Sequence, residues 1–329
     1  MPITLADSKV GLADHVDQQI IDEFRRDSFI LDKLTFDNAV SPGTGGSTLT
    51  YGYLQLKTPS VAEGRKLNSE YTAGEAVKQQ KTANLKIFGG AFEVDRVLED
   101  TAAQSEINFQ LQQKTIAAKN KFHYDFINGK STSKGTAGTD ATSFDGLDIL
   151  VTGTNTEHKP ATAIDLSTIA KIKENAAAFA FELDEWIATL SQKPDALLVN
   201  TKMKTVLKAV AREMGYYTRS ENEFGAGVDN YDGIALVDMG EYYNGKANVP
   251  CISIDTKTGT TAIYAVVFGL NAVHAVSPKG DKIVHTYLPD LTAPGAVKKG
   301  EIEMIAAIVN KDTTKAGVFR NIQVQAVSE

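Results

Sequence analysis

The feature that most constrains this chain is a pair of strand-like segments between residues 47 and 94 that is largely polar on both faces. Leu49, Tyr51 and Tyr53 alternate along the first arm, and the return arm runs over about 77–94. Ten residues of strand reach about 33 Å, and a two-stranded ribbon alone is marginally stable in water. We therefore predict a long β-hairpin that rests on a neighbouring copy of the chain. The alternative is an edge hairpin of a larger sheet in the same subunit.

Composition is that of an ordinary folded protein with an acidic surplus. Hydrophobic residues make up 42% and charged residues 23% of the 329 residues, enough for one large domain or two moderate ones. The formal net charge is −7, whereas a dedicated nucleic-acid binder usually carries a basic surplus that displaces counterions from phosphates. We therefore expect any contact with nucleic acid to be weak and non-specific.

The motifs that carry chemistry give no catalytic, cofactor or metal site. No two of the five histidines stand three or four residues apart, and the single Cys251 excludes a cysteine-rich zinc site. No Gly-x-Ser-x-Gly elbow occurs. We predict that the protein is not an enzyme. The N-terminus has no basic segment followed by an apolar run, and no apolar stretch approaches the ~20 residues of a membrane helix, so we expect no membrane partner.

Apolar periodicity predicts helices early in the chain and strands late in it. Three residues at spacing four, Leu12, Val16 and Ile20, open the first helix. The predicted helices span 10–34, 94–128 (closed by a left-handed-tolerant Asn128-Gly129), 166–191, and a shorter one from a Thr201 N-cap to Gly215. A loop with one small element at 144–151 fills 130–163. The predicted strands are 195–200, 234–237, 251–254, 262–268, 272–276, 282–287, 301–309 and 318–327. This order favours an α+β fold.

Two local sequences, together with the order of elements, resemble a known family. Phe88–Asp100 passes from an apolar strand into an acidic helix start. Asp195–Asn200 is a strand ending in Asn before a helix, and Tyr231–Val237 is a later strand led by a glycine. The whole chain thereby resembles the tailed-bacteriophage major capsid proteins of the Hong Kong 97-like fold. The resemblance implies an N-terminal arm (1–42), an extended hairpin or E-loop (43–93), a peripheral domain with a spine helix (94–192), an axial domain (193–284), and C-terminal strands that return to the peripheral domain (285–329).

The resemblance also implies a function and partners. We expect a virion shell protein that self-assembles through pentamers and hexamers into an icosahedral capsid around double-stranded DNA. A separate scaffolding protein, a portal and assembly in the host cytoplasm are expected with it. Two sets of residues are candidates for contacts between subunits: the hairpin tip (Glu63, Arg65, Lys66 and Glu70) and a central loop facing the capsomer axis (Arg219, Glu221, Glu223 and Asp229). An encapsulin-type shell and a soluble α+β enzyme with a dispersed site are the alternatives.

Overall fold

The computed structural model describes residues 28–38, 49–58, 60–102, 105–131, 140–215, 218–221, 227–278 and 284–326. Its α-helices are α1 (Phe29–Lys33), α2 (Arg96–Thr101), α3 (Glu106–Asn128), α4 (Leu147–Val151), α5 (Ile169–Ala188) and α6 (Thr201–Glu213). Its strands are β1 (Phe36–Asp37), β2 (Thr50–Thr58), β3 (Val77–Asn84), β4 (Lys86–Asp95), β5 (Glu157–His158), β6 (Ile164–Asp165), β7 (Ala196–Val199), β8 (Thr218–Glu221), β9 (Gly227–Tyr231), β10 (Ile234–Asp238), β11 (Glu241–Tyr243), β12 (Asn248–Pro250), β13 (Thr260–Val266), β14 (Val273–Val276), β15 (Val284–Tyr287), β16 (Val297–Asn310) and β17 (Ala316–Gln323).

Two large sheets organise these elements. In the five-stranded sheet the order is β1-β14-β16-β15, with β4 paired to β16 as well. In the eight-stranded sheet the order is β5-β17-β13-β7-β10-β9-β8, and β6 also pairs with β17. β2 and β3 form a separate two-stranded ribbon, as do β11 and β12. This mixture of helices and largely antiparallel sheets confirms the α+β prediction.

The eight-stranded sheet is buried on both faces. Ala196 and Leu198 of β7 face a core that includes α3 and the five-stranded sheet, whereas Leu197 and Val199 face the core beneath α5 and α6. All four side chains are fully buried because a central strand with helices or sheet on each side has no solvent face. The strand predicted at 195–200 and the helix predicted at 166–191 are therefore confirmed.

The predicted hairpin is correct in its first arm and wrong in its return arm. Among the strands that the structure describes, β2 pairs only with β3, from Thr50 opposite Asn84 to Thr58 opposite Val77. After the single residue Leu85 the chain changes partners, and all ten residues of β4 pair with β16. The alternating Phe88, Phe92 and Val94 explain the change, since these side chains are buried and attach β4 to the body.

Three helix predictions need correction at their ends. Val94 lies in β4, and the helix predicted over 94–128 is divided in two, with Asp95 capping α2 and Ser105 capping α3. At the first predicted helix, residues 10–27 lie outside the described residues. Ser28 has non-helical dihedral angles and caps α1, so no single helix runs through to residue 34. Asn200, not Thr201, caps α6, because its side chain accepts from the Met203 N–H.

Gly129 closes α3 for a different reason from the one predicted. Its φ is −56°, which is not left-handed. A Cβ at this position would overlap the carbonyl oxygen of Phe144, so glycine is needed because two chain segments pass very close to each other. Residues 251–254 form no strand, since β12 ends at Pro250 and the chain then bends. The small element predicted at 144–151 is present as α4.

The domain limits remain a prediction, and two elements bear on them. α5, which falls in the segment 94–192, packs with α6 against the eight-stranded sheet that contains β7. β17 lies between β5 and β13 of that same sheet, whereas β15 and β16 lie in the sheet with β4. The C-terminal strands are thus divided between the two sheets. No helix within the described ranges is long and apolar enough to cross a membrane.

Candidate assembly surfaces

The root of the hairpin is anchored in its own subunit. Tyr51, Tyr53 and Gln55 point inward from β2 and are each 7% exposed. The Tyr51 hydroxyl donates to Oδ2 of Asp37 at 3.0 Å, and Nε2 of Gln55 donates to the backbone oxygen of Asn310 at 3.3 Å. Burial, followed by the bond to Asp37, raises the pKa of Tyr51 to about 12, so its hydroxyl stays protonated. The alternating Tyr51 and Tyr53 of the sequence therefore mark the anchored face.

The opposite face of the hairpin is not covered by any of the residues that the structure describes. Leu54 is 62% exposed and Leu56 is 59% exposed. In the ribbon they stand opposite Gln80 and Lys78, which are exposed as well. Leu49 and Val77 at the two ends of the ribbon are also largely exposed. A ribbon with one apolar face in water gains free energy when another surface covers that face.

The hairpin tip extends beyond both strands and is exposed throughout residues 60–76. Nη1 of Arg65 donates to the carbonyl oxygen of Ser69 at 3.1 Å, and its guanidinium lies 5.5 Å from the centre of the Tyr71 ring. Asn68 supplies the left-handed residue of the turn, with φ 65°. The other predicted contact residues of the tip are exposed: Glu63, Lys66 and Glu70. Leu67, beside them, is 89% exposed.

A second exposed apolar surface, which sequence reasoning missed, lies at one end of the five-stranded sheet. We call it the sheet-end patch and define it as Val97, Tyr287, Leu288, Leu291 and Val297, each 44% exposed or more. Strand register brings them to the same end, because Val297 pairs with Asp95, just before Val97. The other members follow β15, whose Tyr287 stands opposite Glu301 of β16. No local pattern marks this patch, since three chain segments form it.

An acidic row lies beside the sheet-end patch. Glu93 is an exposed residue of β4, Glu301 is an exposed residue of β16, and Glu303 is half-buried. Lys299 pairs with Glu301 at 2.6 Å. This face therefore carries a net negative charge, opposite in sign to the Arg65-Lys66 turn of the hairpin tip.

The predicted central loop is described only in part. Arg219 and Glu221 lie on β8, whose backbone pairs with β9, and Glu223 lies outside the described residues. The side chain of Asp229 is 11% exposed and forms ion pairs with Lys208 at 2.5 Å and with Lys204 at 3.6 Å. These ion pairs tie β9 to α6 within the subunit. The role of the four loop residues at a capsomer axis stays a prediction.

One serine–histidine pair resembles part of a catalytic constellation. Oγ of Ser28 lies 2.7 Å from Nε2 of His123, and burial, with a smaller contribution from Lys119, lowers the pKa of His123 to about 4. The hydroxyl and the neutral imidazole share one hydrogen bond, while Oγ also accepts from the Leu31 N–H as the cap of α1. Both residues are buried, so the pair attaches α1 to α3. Among the described residues no cluster of His, Cys, Asp or Glu could hold a metal ion.

Comparison with solved structures defines the class of fold. The holo-SrpI encapsulin complex from Synechococcus elongatus PCC 7942 matches with a TM-score of 0.59 at 12% identity, covering 100% of this chain and 99% of that one. Mycobacterium phage Cain matches with a TM-score of 0.57 at 12% identity and full coverage of both chains. The capsid of a native GTA particle matches with a TM-score of 0.57 at 11% identity, covering 95% of this chain and 98% of that one. The chain has the Hong Kong 97-like fold.

Sequence comparison then defines the family. The family model of the SU10 major capsid protein matches residues 17–235, more than half of the chain. A search of curated protein sequences gave no match. The chain belongs to the SU10 major capsid protein family. It is a major capsid protein of a tailed bacteriophage, a structural subunit that assembles with copies of itself into the shell of the virion.

Proposed function

We propose that the hairpin is the arm by which each subunit holds an adjacent copy, and that pentamers and hexamers joined in this way close an icosahedral shell around double-stranded DNA. The observation that carries this proposal is the uncovered apolar face of the ribbon. Leu54 and Leu56 are exposed along it, and Leu67 is 89% exposed at the tip. Side chains of this kind are seldom clustered on the surface of a free monomer unless they meet a partner.

The sheet-end patch supports this proposal as the complementary surface. β3 continues into β4 through Leu85 alone, and one residue is too few to reverse the direction of the chain. The hairpin therefore joins β4 at its Lys86 end, while the patch lies about 30 Å away at the Asp95 end. Contact between the two surfaces requires two copies. Such a head-to-tail contact repeats from one subunit to the next and closes into rings.

Charge complements this pairing at one part of the tip. The turn carries Arg65 and Lys66, opposite in sign to the acidic row of Glu93, Glu301 and Glu303 beside the sheet-end patch. The rest of the tip has the same sign as the row, because it carries Glu63, Glu70 and Glu75. Opposite charges at the rim of an interface set its register and speed association more than they raise its affinity. We therefore expect the apolar side chains to supply most of the binding free energy, and we expect the charges to set the orientation of the two subunits.

The net charge of −7 supports weak, non-specific contact with packaged DNA. A separate scaffolding protein, a portal and assembly in the host cytoplasm belong to the same proposal. An encapsulin-type compartment is the second candidate, because its fold is similar. Purified particles decide between them: DNA inside supports the capsid, and enclosed cargo protein supports the compartment. Strong, salt-sensitive binding of free subunits to duplex DNA would contradict the weak-contact proposal.

Deletion of residues 58–76, replaced by a short glycine linker, tests the arm. We expect a folded subunit with an unchanged far-ultraviolet circular dichroism spectrum that forms no closed shells in negative-stain electron microscopy. A sharper variant is Leu54→Ser with Leu56→Ser, and its matched control is Phe181→Ser on α5, which removes an equally exposed apolar side chain (69%) elsewhere. Normal shells from the deletion variant would refute the arm. Equal loss of assembly in the Phe181 control would show that the effect is not specific to the hairpin.

A further inference from the structure

The root of the hairpin lies on a polar seat. We call the seat residues His274, Asn310 and Lys311, which stand at the end of β14 and β16 beneath Tyr51 and Gln55. The Tyr51 ring meets the imidazole of His274 edge-on, with ring centres 6.1 Å apart at 82°. Nζ of Lys311 lies 5.7 Å from the centre of the same ring. The hairpin is therefore held here by aromatic and polar contacts more than by interlocking aliphatic side chains.

This seat leaves buried polar atoms without hydrogen-bond partners. Within the described part of the chain, four buried side-chain atoms lack a partner, and three of them belong to the seat: Nε2 of His274 and both amide atoms of Asn310. His274 is fully buried, and Asn310 is 2% exposed. A buried polar group without a partner destabilises the arrangement that buries it, because it has given up its hydrogen bonds to water. The seated position of the hairpin is thus less stable than an equally buried apolar contact would make it.

Among the described strands, none outside the ribbon pairs with β2 or β3, so the hairpin can leave this seat without breaking a pair of strands in the body. Leu85 is the only residue between β3 and β4, and its N–H donates to the carbonyl oxygen of Leu49 across the base of the ribbon. A cleft separates the other side of the root from the body, between Tyr53 and Asn84 of the hairpin and Asp145 of the body. The ribbon is a separate two-stranded sheet, so rotation about Leu85 breaks none of its own strand pairing.

The groups around His274 come from three elements. Tyr51 faces it from β2, Lys311 lies just beyond β16, and Asp37 is contributed by β1. Nδ1 of His274 lies 3.4 Å from the carbonyl oxygen of Ala272. Because a carbonyl oxygen can only accept a hydrogen bond, the proton of the neutral ring lies on Nδ1, and Nε2 is unprotonated. Burial first, and then Lys311, lowers the pKa of His274, while Ala272 and Asp37 oppose that shift.

We propose that His274 is a proton-sensitive latch, which holds the hairpin against its own subunit while the imidazole is neutral and releases it when the imidazole is protonated. Protonation places a second cation beside Lys311 and a new N–H on Nε2, which faces no acceptor among the described residues. Lifting Tyr51 and Gln55 off the seat admits water to that N–H and to Asn310.

The direction of the pH dependence follows from the lowered pKa. Contact with water in the released state brings the pKa of His274 back toward the ordinary histidine value of 6.5, whereas burial in the seated state keeps it below that value. The free-energy difference that favours the seated state is therefore greatest above about pH 6.5, and it decreases as the pH falls below that value. The ratio of seated to released hairpin falls by up to about tenfold per pH unit in that window.

Hydrogen–deuterium exchange on full-length subunits, kept dilute so that they stay unassembled, tests the latch. Rates at about pH 7.5 and about pH 5 are compared after correction for intrinsic exchange chemistry. A two-stranded ribbon that no longer rests on the body is only marginally stable, so its own strand pairing opens more often after release. We therefore expect faster exchange at the lower pH in peptides covering 50–58 and 77–84, with no equal change in β7 or β13. The pH effect on the hairpin should disappear in His274→Phe, which keeps an aromatic ring against Tyr51 but cannot bind a proton.

Two further variants keep the result decisive. His274→Gln serves if the Phe variant folds poorly, because it is polar and does not titrate. His285→Gln on β15 is the matched control, and it should keep the full pH response because His285 is not part of the seat. Hairpin exchange that does not change with pH in the wild-type chain would overturn the proposal. A response that survives in both His274 variants would overturn it too. Either result leaves the proposed arm function untouched.

Discussion

Replacement of Arg320 by Met should remove the ion-pair network that joins β17 to α4 and β5. Nε of Arg320 donates to Glu157 at 2.6 Å, and Nη2 donates to Asp148 at 2.6 Å and to Thr152 at 2.9 Å. The Tyr264 hydroxyl donates to the same Asp148 oxygen at 2.9 Å. These partners come from α4 and its C-cap, from β5 and from β13, so one guanidinium connects the eight-stranded sheet to α4.

The expected loss is about 2–3 kcal/mol of unfolding free energy. Two short charge-assisted hydrogen bonds would be worth about 1.5–3 kcal/mol each if they were independent and well buried. Removal of one partner of a fully buried pair costs about 3–5 kcal/mol. Here the side chains of Asp148 and Glu157 keep 28% and 20% exposure. Water therefore compensates part of the loss when Arg320 is absent.

Urea unfolding of the full-length subunit, followed by circular dichroism, measures this loss. Lys171→Met is the matched control, because Lys171 forms an exposed pair with Glu174 on α5 and its removal should cause no measurable change. A loss below about 0.5 kcal/mol for Arg320→Met would refute the reasoning, because it would give the network the value of an ordinary surface pair.

Measurement at lower pH provides a second check on the same network. Burial opposes ionisation of Glu157, but hydrogen bonds from the Gly153 N–H and from Arg320 outweigh it and lower the pKa of Glu157 below its ordinary 4.5. A lowered carboxyl pKa stabilises the folded state above that ordinary value, and the stabilisation is lost as the pH falls through the folded pKa. The difference between wild type and Arg320→Met should therefore shrink below about pH 4.5. A difference that stays constant into acid would assign the loss to packing.

Three further substitutions test other parts of the fold. Gly89→Ala should cost about 2–4 kcal/mol in thermal unfolding, because a Cβ would overlap the Ile302 carbonyl oxygen, whereas Gly52→Ala should be nearly neutral; equal effects would contradict this. Asn200→Ala should lower the free energy of urea unfolding by about 3 kcal/mol, because it leaves the Met203 N–H and the Ile252 carbonyl without their partner. Thr168→Ala, which removes an exposed helix cap, should lower it by about 1 kcal/mol. Equal losses would contradict the added cost of unpairing buried groups at Asn200. The wild-type protein should lose about 3 kcal/mol of unfolding free energy between about pH 6.5 and about pH 4 because of His123, whose pKa in the folded state is about 4. His123→Gln should lack this part of the loss, and an unchanged pH profile would contradict the prediction.

Regular elements that bury one face could be predicted from local sequence alone. Ile172, Ala176, Phe179 and Leu183 step by three and four, and all of them are buried under α5. The apolar run at β7 was predicted correctly, since a strand covered on both faces needs no polar alternation. In each case the pattern and the cap lie within a few residues of the element itself.

Long-range pairing could not be predicted in this way. The return arm of the hairpin reads as one continuous strand, yet β3 pairs with β2 and β4 pairs with a strand more than 200 residues later. The seat of His274 and Asn310 and the sheet-end patch likewise join distant segments. Gly89 looks like a flexible glycine in the sequence, but only its approach to Ile302 explains why a side chain is excluded there.

Local sequence is enough to predict a long exposed hairpin, an α+β body and no recognisable catalytic motif, and the order of the elements indicates a capsid subunit. The end of the hairpin, its anchored face and the polar groups beneath it depend on the tertiary structure. The exposed apolar face of Leu54 and Leu56 was also missed, because the sequence pattern predicts that both faces are largely polar. The physical reason is that alternation fixes which side chains of a strand share a face, while the partner that covers each face is chosen by contacts between distant residues. The anchored Tyr51 and the exposed Leu54 differ by three positions in sequence, and they face different surroundings because β2 pairs with β3 on top of the seat.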